Sequence, residues 1–183
     1  MLILASASPR RQELMELAGL EFICIPSNAS EAVPEGIALE DVPEYLAIQK
    51  AESVLKTHPE DIVMGADTLI ELEDVMYGKP KDEEDAFRML KMLSGKTHHV
   101  YTGVALLAKN WRETFTTVTK VEFFALNDEE IWDYVHTGEP LDKAGAYGIQ
   151  GKGALLVKRI QGDYHTVVGL PIGELIRHLR KRT

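Results

Sequence analysis

The apolar run Leu2-Ile3-Leu4-Ala5 passes directly into Ser6-Ala7-Ser8-Pro9, and this junction constrains the fold more than any other feature of the chain. A short apolar run bounded by a polar turn predicts a buried strand. Ser8 suits a helix N-cap and Pro9 the first helical position, so a helix should begin within a few residues of the strand's end. Gly19 should close that helix, with Leu14, Leu17 and Ala18 as its apolar face. A second strand is expected at 21–26, stopped by Pro26, with Cys24 as core filler among Phe22, Ile23 and Ile25.

The rest of the chain continues to mix strands and helices. A polar loop spans 27–41, and a helix at about 43–57 sets Leu46, Lys50 and Val54 on one line. A buried strand at 61–66 ends at Asp67, and 68–77 predicts a hairpin turning at Glu73-Asp74. Asp82 caps a helix with the stripe Ala86, Met89, Leu90 and Leu93. Strands at 97–108 and 113–125 flank Lys109-Asn110-Trp111, and Asn127-Asp128 starts a helix with Ile131, Tyr134 and Val135 inward. Residues 138–152 are dense in turn signals; strands at 153–160 and 164–168 are expected to follow, and Pro171 opens a last helix. Without strict βαβ alternation, the pattern predicts an α/β fold with a mixed sheet.

Composition excludes several classes. The 183 residues fit one domain or two tight lobes, long enough to bury a core unaided. No apolar run reaches the roughly 18–20 residues of a membrane helix, and the start lacks a signal peptide's basic flank. A single cysteine excludes an internal disulfide framework and a Cys-rich zinc site, which points to a reducing cytoplasm. The net charge of −9 opposes non-specific binding to nucleic acid or anionic membrane, so no partner of either kind is expected. An anion can still be met locally.

Four constellations carry potential chemistry. Ser6 and Ser8 offer hydroxyls at a helix N-terminus, and Arg10 and Arg11 add guanidinium forks suited to phosphate. Paired arginines in a first helical turn oppose the helix dipole, so an anion would account for them better than helix stability does. Asp67, where an apolar strand gives out, can bind a divalent cation or take a proton from water. Lys50 lies on a stripe otherwise apolar, where it either snorkels or meets an anion. Lys79 is restrained between Gly78 and Pro80. In 141–151, Gln150 pairs a donor with an acceptor, as reading a base edge requires. Gly95-Lys96-Thr97 mimics the end of a P-loop, but Leu90 stands where that motif needs its first glycine.

These segments also occur together in a known family. LASASPRRQEL at 4–14, Gln49-Lys50-Ala51, GADT at 65–68, GKP at 78–80, LSGKTH at 93–98, EPLDKAGAYGIQGKGA at 139–154 and VVGLPI at 167–172 resemble the Maf family from end to end. The resemblance implies a single domain over 1–183 with the Maf and inosine-triphosphatase-like fold: a long mixed β-sheet flanked by helices, in two lobes around a cleft. It implies hydrolysis of a nucleoside triphosphate to the monophosphate and pyrophosphate, with a divalent cation, Mg²⁺ or Mn²⁺, by a homodimer linked to cell-division arrest.

By the same resemblance, Ser6, Ser8, Arg10, Arg11, Lys50 and Lys79 bind the substrate, Asp67 is the proton acceptor, and Glu31 joins Asp67 as metal ligand. Tight metal ligation and free basicity compete for Asp67, and the resemblance leaves both open. Arg10, Thr68 and Gln150 match the branch acting on dTTP and UTP; the 7-methyl-GTP branch tends to have tryptophan, glutamine and glutamate there. Two alternatives stand beside this reading: a purine-type pyrophosphatase, and a low-turnover nucleotide-binding inhibitor of septum formation.

Overall fold

The computed structural model describes residues 1–181, so Arg182 and Thr183 of the expected 1–183 domain lie outside the described residues. In chain order the elements are β1 (Leu2–Leu4), α1 (Pro9–Leu17), β2 (Ile23–Cys24), α2 (Val42–Leu55), β3 (Ile62–Leu72), β4 (Val75–Tyr77), α3 (Glu83–Leu93), β5 (Thr97–Ala108), β6 (Trp111–Phe123), α4 (Asp128–Val135), β7 (Val157–Gln161), α5 (Tyr164–Val168) and α6 (Ile172–Arg180), with short 3₁₀ turns between some of them. The strands form one sheet in the order β2-β1-β3-β5-β6-β7, and β4 pairs with β3 off that path. β1 runs parallel to both β2 and β3, whereas β3–β4 and β6–β7 are antiparallel, so the sheet is mixed as expected. No helix among the described residues is long and apolar enough to cross a membrane.

The chain divides into two compact units. The first comprises Met1–Asp67, Thr102–Thr117 and the segment from Gly169 onward. Its core packs β1, α2, β3 and β5 through Ile3, Ala5, Ala47, Ala51, Val63 and Ala105. The second comprises Thr68–Tyr101 and Val118–Val168. Its core gathers Leu90 of α3, Val100 of β5, Phe123 of β6 and Ile131 of α4, among others.

Local chemistry accounts for the elements that match. The Asp82 side chain accepts from the Asp85 N–H at the start of α3, and Ala86, Met89, Leu90 and Leu93 are all buried. Asn127 and Glu130 form a reciprocal capping box on α4. Glu73 and Asp74 both adopt positive φ, 54° and 63°, as a two-residue hairpin turn requires.

Four expectations are corrected. Leu17 is 70% exposed, and Met15 takes its place in the core beside Leu14. The second strand shrinks to Ile23–Cys24 at the sheet's border, which leaves Cys24 exposed rather than buried as filler. β3 does not end at Asp67 but continues to Leu72. Residues 153–156 lie in a 3₁₀ turn, and 164–168 are helical because Asp163 accepts from both the backbone N–H and the hydroxyl of Thr166.

Candidate active site

The first unit brings most of the expected residues to one place. The Ala5 N–H donates to the Met64 carbonyl at 2.8 Å, so β1 leaves the sheet beside β3 just short of Asp67. The chain then turns on Ser6, whose hydroxyl is buried and accepts from the Ser8 N–H at 3.2 Å. Ser8 occupies the N-cap position of α1, but its side chain makes no capping hydrogen bond.

Arg11 returns to that turn. Its Nη1 donates to Ser6 Oγ at 3.3 Å and its Nε to the Gly169 carbonyl at 2.9 Å. Burial lowers the pKa of the Arg11 guanidinium from its ordinary value; the charge of Asp67 works against this, Arg10 adds to it, and Glu31 opposes it. Four charged side chains therefore share one electrostatic neighbourhood.

Lys50 resolves the choice left by its position on the apolar line of α2. Its ammonium lies 2.5 Å from Asp67 Oδ1 and 3.0 Å from Glu31 Oε1. It meets anions rather than snorkelling to water. Asp67 is 8% exposed, whereas the Glu31 side chain is 70% exposed. Glu31 reaches the site on a tethered loop: Ser27 Oγ lies 2.7 Å from Ser53 Oγ, Ser53 donates to the Lys50 carbonyl at 2.9 Å, and the Ala29 N–H donates to Ser27 Oγ.

Two carboxylate oxygens thus converge on a single cationic point. Mg²⁺ and Mn²⁺ take such hard oxygen donors and complete their shells with water and substrate phosphate rather than with a full protein cage. Among the described residues no group of three or more His, Cys, Asp or Glu forms such a cage. Glu31 and Asp67 therefore fit the donor set expected of them.

The remaining expected residues fall in the second unit. Thr68 follows Asp67 within β3 and is half-buried, while Lys79, just past β4, and Gln150, beside the 3₁₀ turns, are exposed. Sequence reasoning missed the Gly169 carbonyl and the Ser27–Ser53 tether as parts of the site. Gly169 did lie within the VVGLPI segment, and Ser53 stands one helical turn after Lys50.

Comparison with known proteins gives a consistent result. A family model described as "Maf-like protein" matches residues 1–182. A dTTP/UTP pyrophosphatase of Geobacillus sp. is 52% identical over 180 residues, covering 98% of this chain and 97% of its own. A dTTP/UTP pyrophosphatase of Bacillus cytotoxicus is 53% identical over 179 residues, covering 98% and 94%. Among solved structures, the Ham1 protein of Staphylococcus aureus shares the fold at a TM-score of 0.59 and 16% identity, covering 100% of this chain and 99% of its own. The HAM1 protein of Coxiella burnetii does so at 0.51, also with 16% identity and 98% coverage of both.

Proposed function

The chain belongs to the Maf-like proteins, and from that membership we propose that it hydrolyses dTTP and UTP to the nucleoside monophosphate and pyrophosphate. One observation carries the reading: relatives more than half identical across nearly the whole chain bear the name dTTP/UTP pyrophosphatase.

The chemistry is attack of water on the α-phosphorus. A new P–O bond forms, the bond from that phosphorus to the bridging oxygen breaks, and pyrophosphate leaves with its negative charge increased. Cations held where that charge grows lower the barrier. Arg10, Arg11 and Lys50 of the first unit have this role, with Ser6 and Ser8 offering further donors. Asp67 takes the proton of the attacking water. Glu31 and Asp67 would hold a Mg²⁺ or Mn²⁺, which when bound supplies positive charge at the phosphate oxygens and lowers the pKa of water. The resemblance gives Lys79 a role toward phosphate, and Thr68 and Gln150, with Arg10, a role toward the base. A homodimer in the cytoplasm is part of the same proposal.

A panel of ordinary and modified triphosphates, assayed for pyrophosphate release with and without metal, tests the reading. Preference for dTTP and UTP is expected. Preference for 7-methyl-GTP would reassign the branch, and binding without release would favour the septum-inhibitor alternative.

Two substitutions separate roles within the site. Arg10→Ala is expected to lower kcat/KM about tenfold, as loss of a charge-assisted phosphate contact does. Its melting temperature should move less than its activity, because a half-buried charge near water adds little to stability. Parallel losses of activity and stability would make Arg10 structural. Gln150→Glu replaces the amide donor with a charged acceptor, so kcat/KM for dTTP and UTP should fall about tenfold or more. An unchanged nucleotide profile would remove Gln150 from base reading.

A further inference from the structure

Gln150 is exposed and belongs to no strand or long helix, yet reading a base edge requires a fixed amide. The segment before it is held in an unfavourable backbone. Gly145 and Ala146 adopt φ of 65° and 62°, and Ala146 has a Cβ that disfavours that region. Such a conformation persists only where its surroundings enforce it. A side chain on Gly145 would also run into Ile70, whose Cδ1 lies 2.3 Å from the position of an added Cβ.

Three side chains outside the proposed site, all within the second unit, link to this segment or to one another. Tyr147, almost wholly buried, places its hydroxyl 2.7 Å from Nε2 of His98 on β5. The ring of His98 is 0% exposed and packs edge-on against Phe123 and Tyr147, with centroids at 5.0 and 5.4 Å. From α4, the Tyr134 hydroxyl accepts the Gly148 N–H at 3.1 Å. The Gly145 N–H donates in turn to the carbonyl of Gly78, the residue before Lys79, at 2.9 Å. Burial lowers the His98 pKa to about 3, so the imidazole is neutral at working pH.

This arrangement has a cost that packing alone does not explain. Among the described residues His98 Nδ1 is buried with no hydrogen-bond partner, and a buried unsatisfied polar atom is destabilising. An apolar residue at 98 would remove that atom but leave the buried Tyr147 hydroxyl without His98, so only an apolar pair would fill the space without a penalty. A polar link to one hydroxyl gives direction, which apolar packing does not.

We propose that His98, Tyr147 and Tyr134 are positioning residues for nucleobase selection: they hold the 144–150 segment so that the Gln150 amide is fixed, without touching the substrate. The proposal rests on base reading by Gln150, so the two are tested together.

Tyr147→Phe and Tyr134→Phe remove single hydroxyls and keep the ring contacts. For each, kcat/KM is measured with dTTP and with GTP in the presence of metal. The preference for dTTP should narrow about tenfold, through KM for dTTP more than through kcat, since small misplacements of a reading group are costly. Gln150→Ala should narrow it likewise, and adding Tyr147→Phe to Gln150→Ala should narrow it no further. A purely structural role predicts that both substrates lose activity by the same factor, which would overturn the proposal. If Gln150→Ala narrows the preference and neither Phe variant does, base reading survives and positioning fails. If Gln150→Ala leaves the preference intact, both fail.

Discussion

Asp67→Asn is expected to lower pyrophosphate release by about a hundredfold or more, the scale on which a positioned proton acceptor contributes. The substitution keeps the shape of the side chain and removes its charge. The amide oxygen can still accept from Lys50, and Lys50 keeps its contact with Glu31 at 3.0 Å, so Lys50 is not left unpaired. The stability cost should be about 1–2 kcal/mol. For a chain of this size that lowers the melting temperature by a few degrees, roughly 2–4 °C per kcal/mol. Activity and stability therefore separate, and near-normal turnover would remove Asp67 from the chemistry. A second measurement divides its two competing roles. If raised Mg²⁺ restores a large part of the lost rate, Asp67 acts mainly in metal retention; if it restores none, Asp67 acts mainly as proton acceptor.

The residues of this site differ in how far one sequence discloses them. Lys50 was conspicuous because a charge sat on the line of Leu46 and Val54, and the structure supplies the anions that such a position requires. At Asp67 an apolar run gives way to an acid, which predicts a strand's end, yet β3 continues to Leu72 because β4 pairs with its second half, Ile70 facing Tyr77. Pairing partners decide where a strand stops, and local hydropathy does not contain them. Cys24 shows the same limit: apolar neighbours suggest burial, but a two-residue strand at the border has a partner on one side only. The helix at 164–168 was legible in principle. Asp163 followed three residues later by Thr166 is a capping spacing, and it outweighs the strand propensity of the valines after it. The Arg11 contact with Gly169 lay beyond reach, since the partners are 158 residues apart and one is a carbonyl oxygen, which every residue has.

The meeting of Lys50 and Asp67 depends on a residue with no functional group. An added Cβ on Gly65 would lie 2.0 Å from the Ala47 carbonyl oxygen and 2.9 Å from the Ala51 nitrogen, both backbone atoms of α2. Real atoms do not approach so closely, and a helix backbone flanked by buried Ala47 and Ala51 cannot yield as a side chain would. Gly65→Ala must therefore push α2 away from β3 by an ångström or more. The loss of stability is expected to be about 3 kcal/mol, at the upper end for overpacking by one methyl. It should be visible as a lower urea midpoint with an unchanged slope. Gly78→Ala is the control: an added Cβ there meets nothing within 4 Å, and the change should stay within about 0.5 kcal/mol. The folded fraction of Gly65→Ala should also be impaired, because Lys50 travels with α2 while Asp67 stays with β3. An ångström of misplacement can cost about a hundredfold in rate. If the variant, assayed well below its melting temperature, turns over dTTP at the normal rate, the close approach at Gly65 serves packing alone and the Lys50–Asp67 spacing tolerates movement.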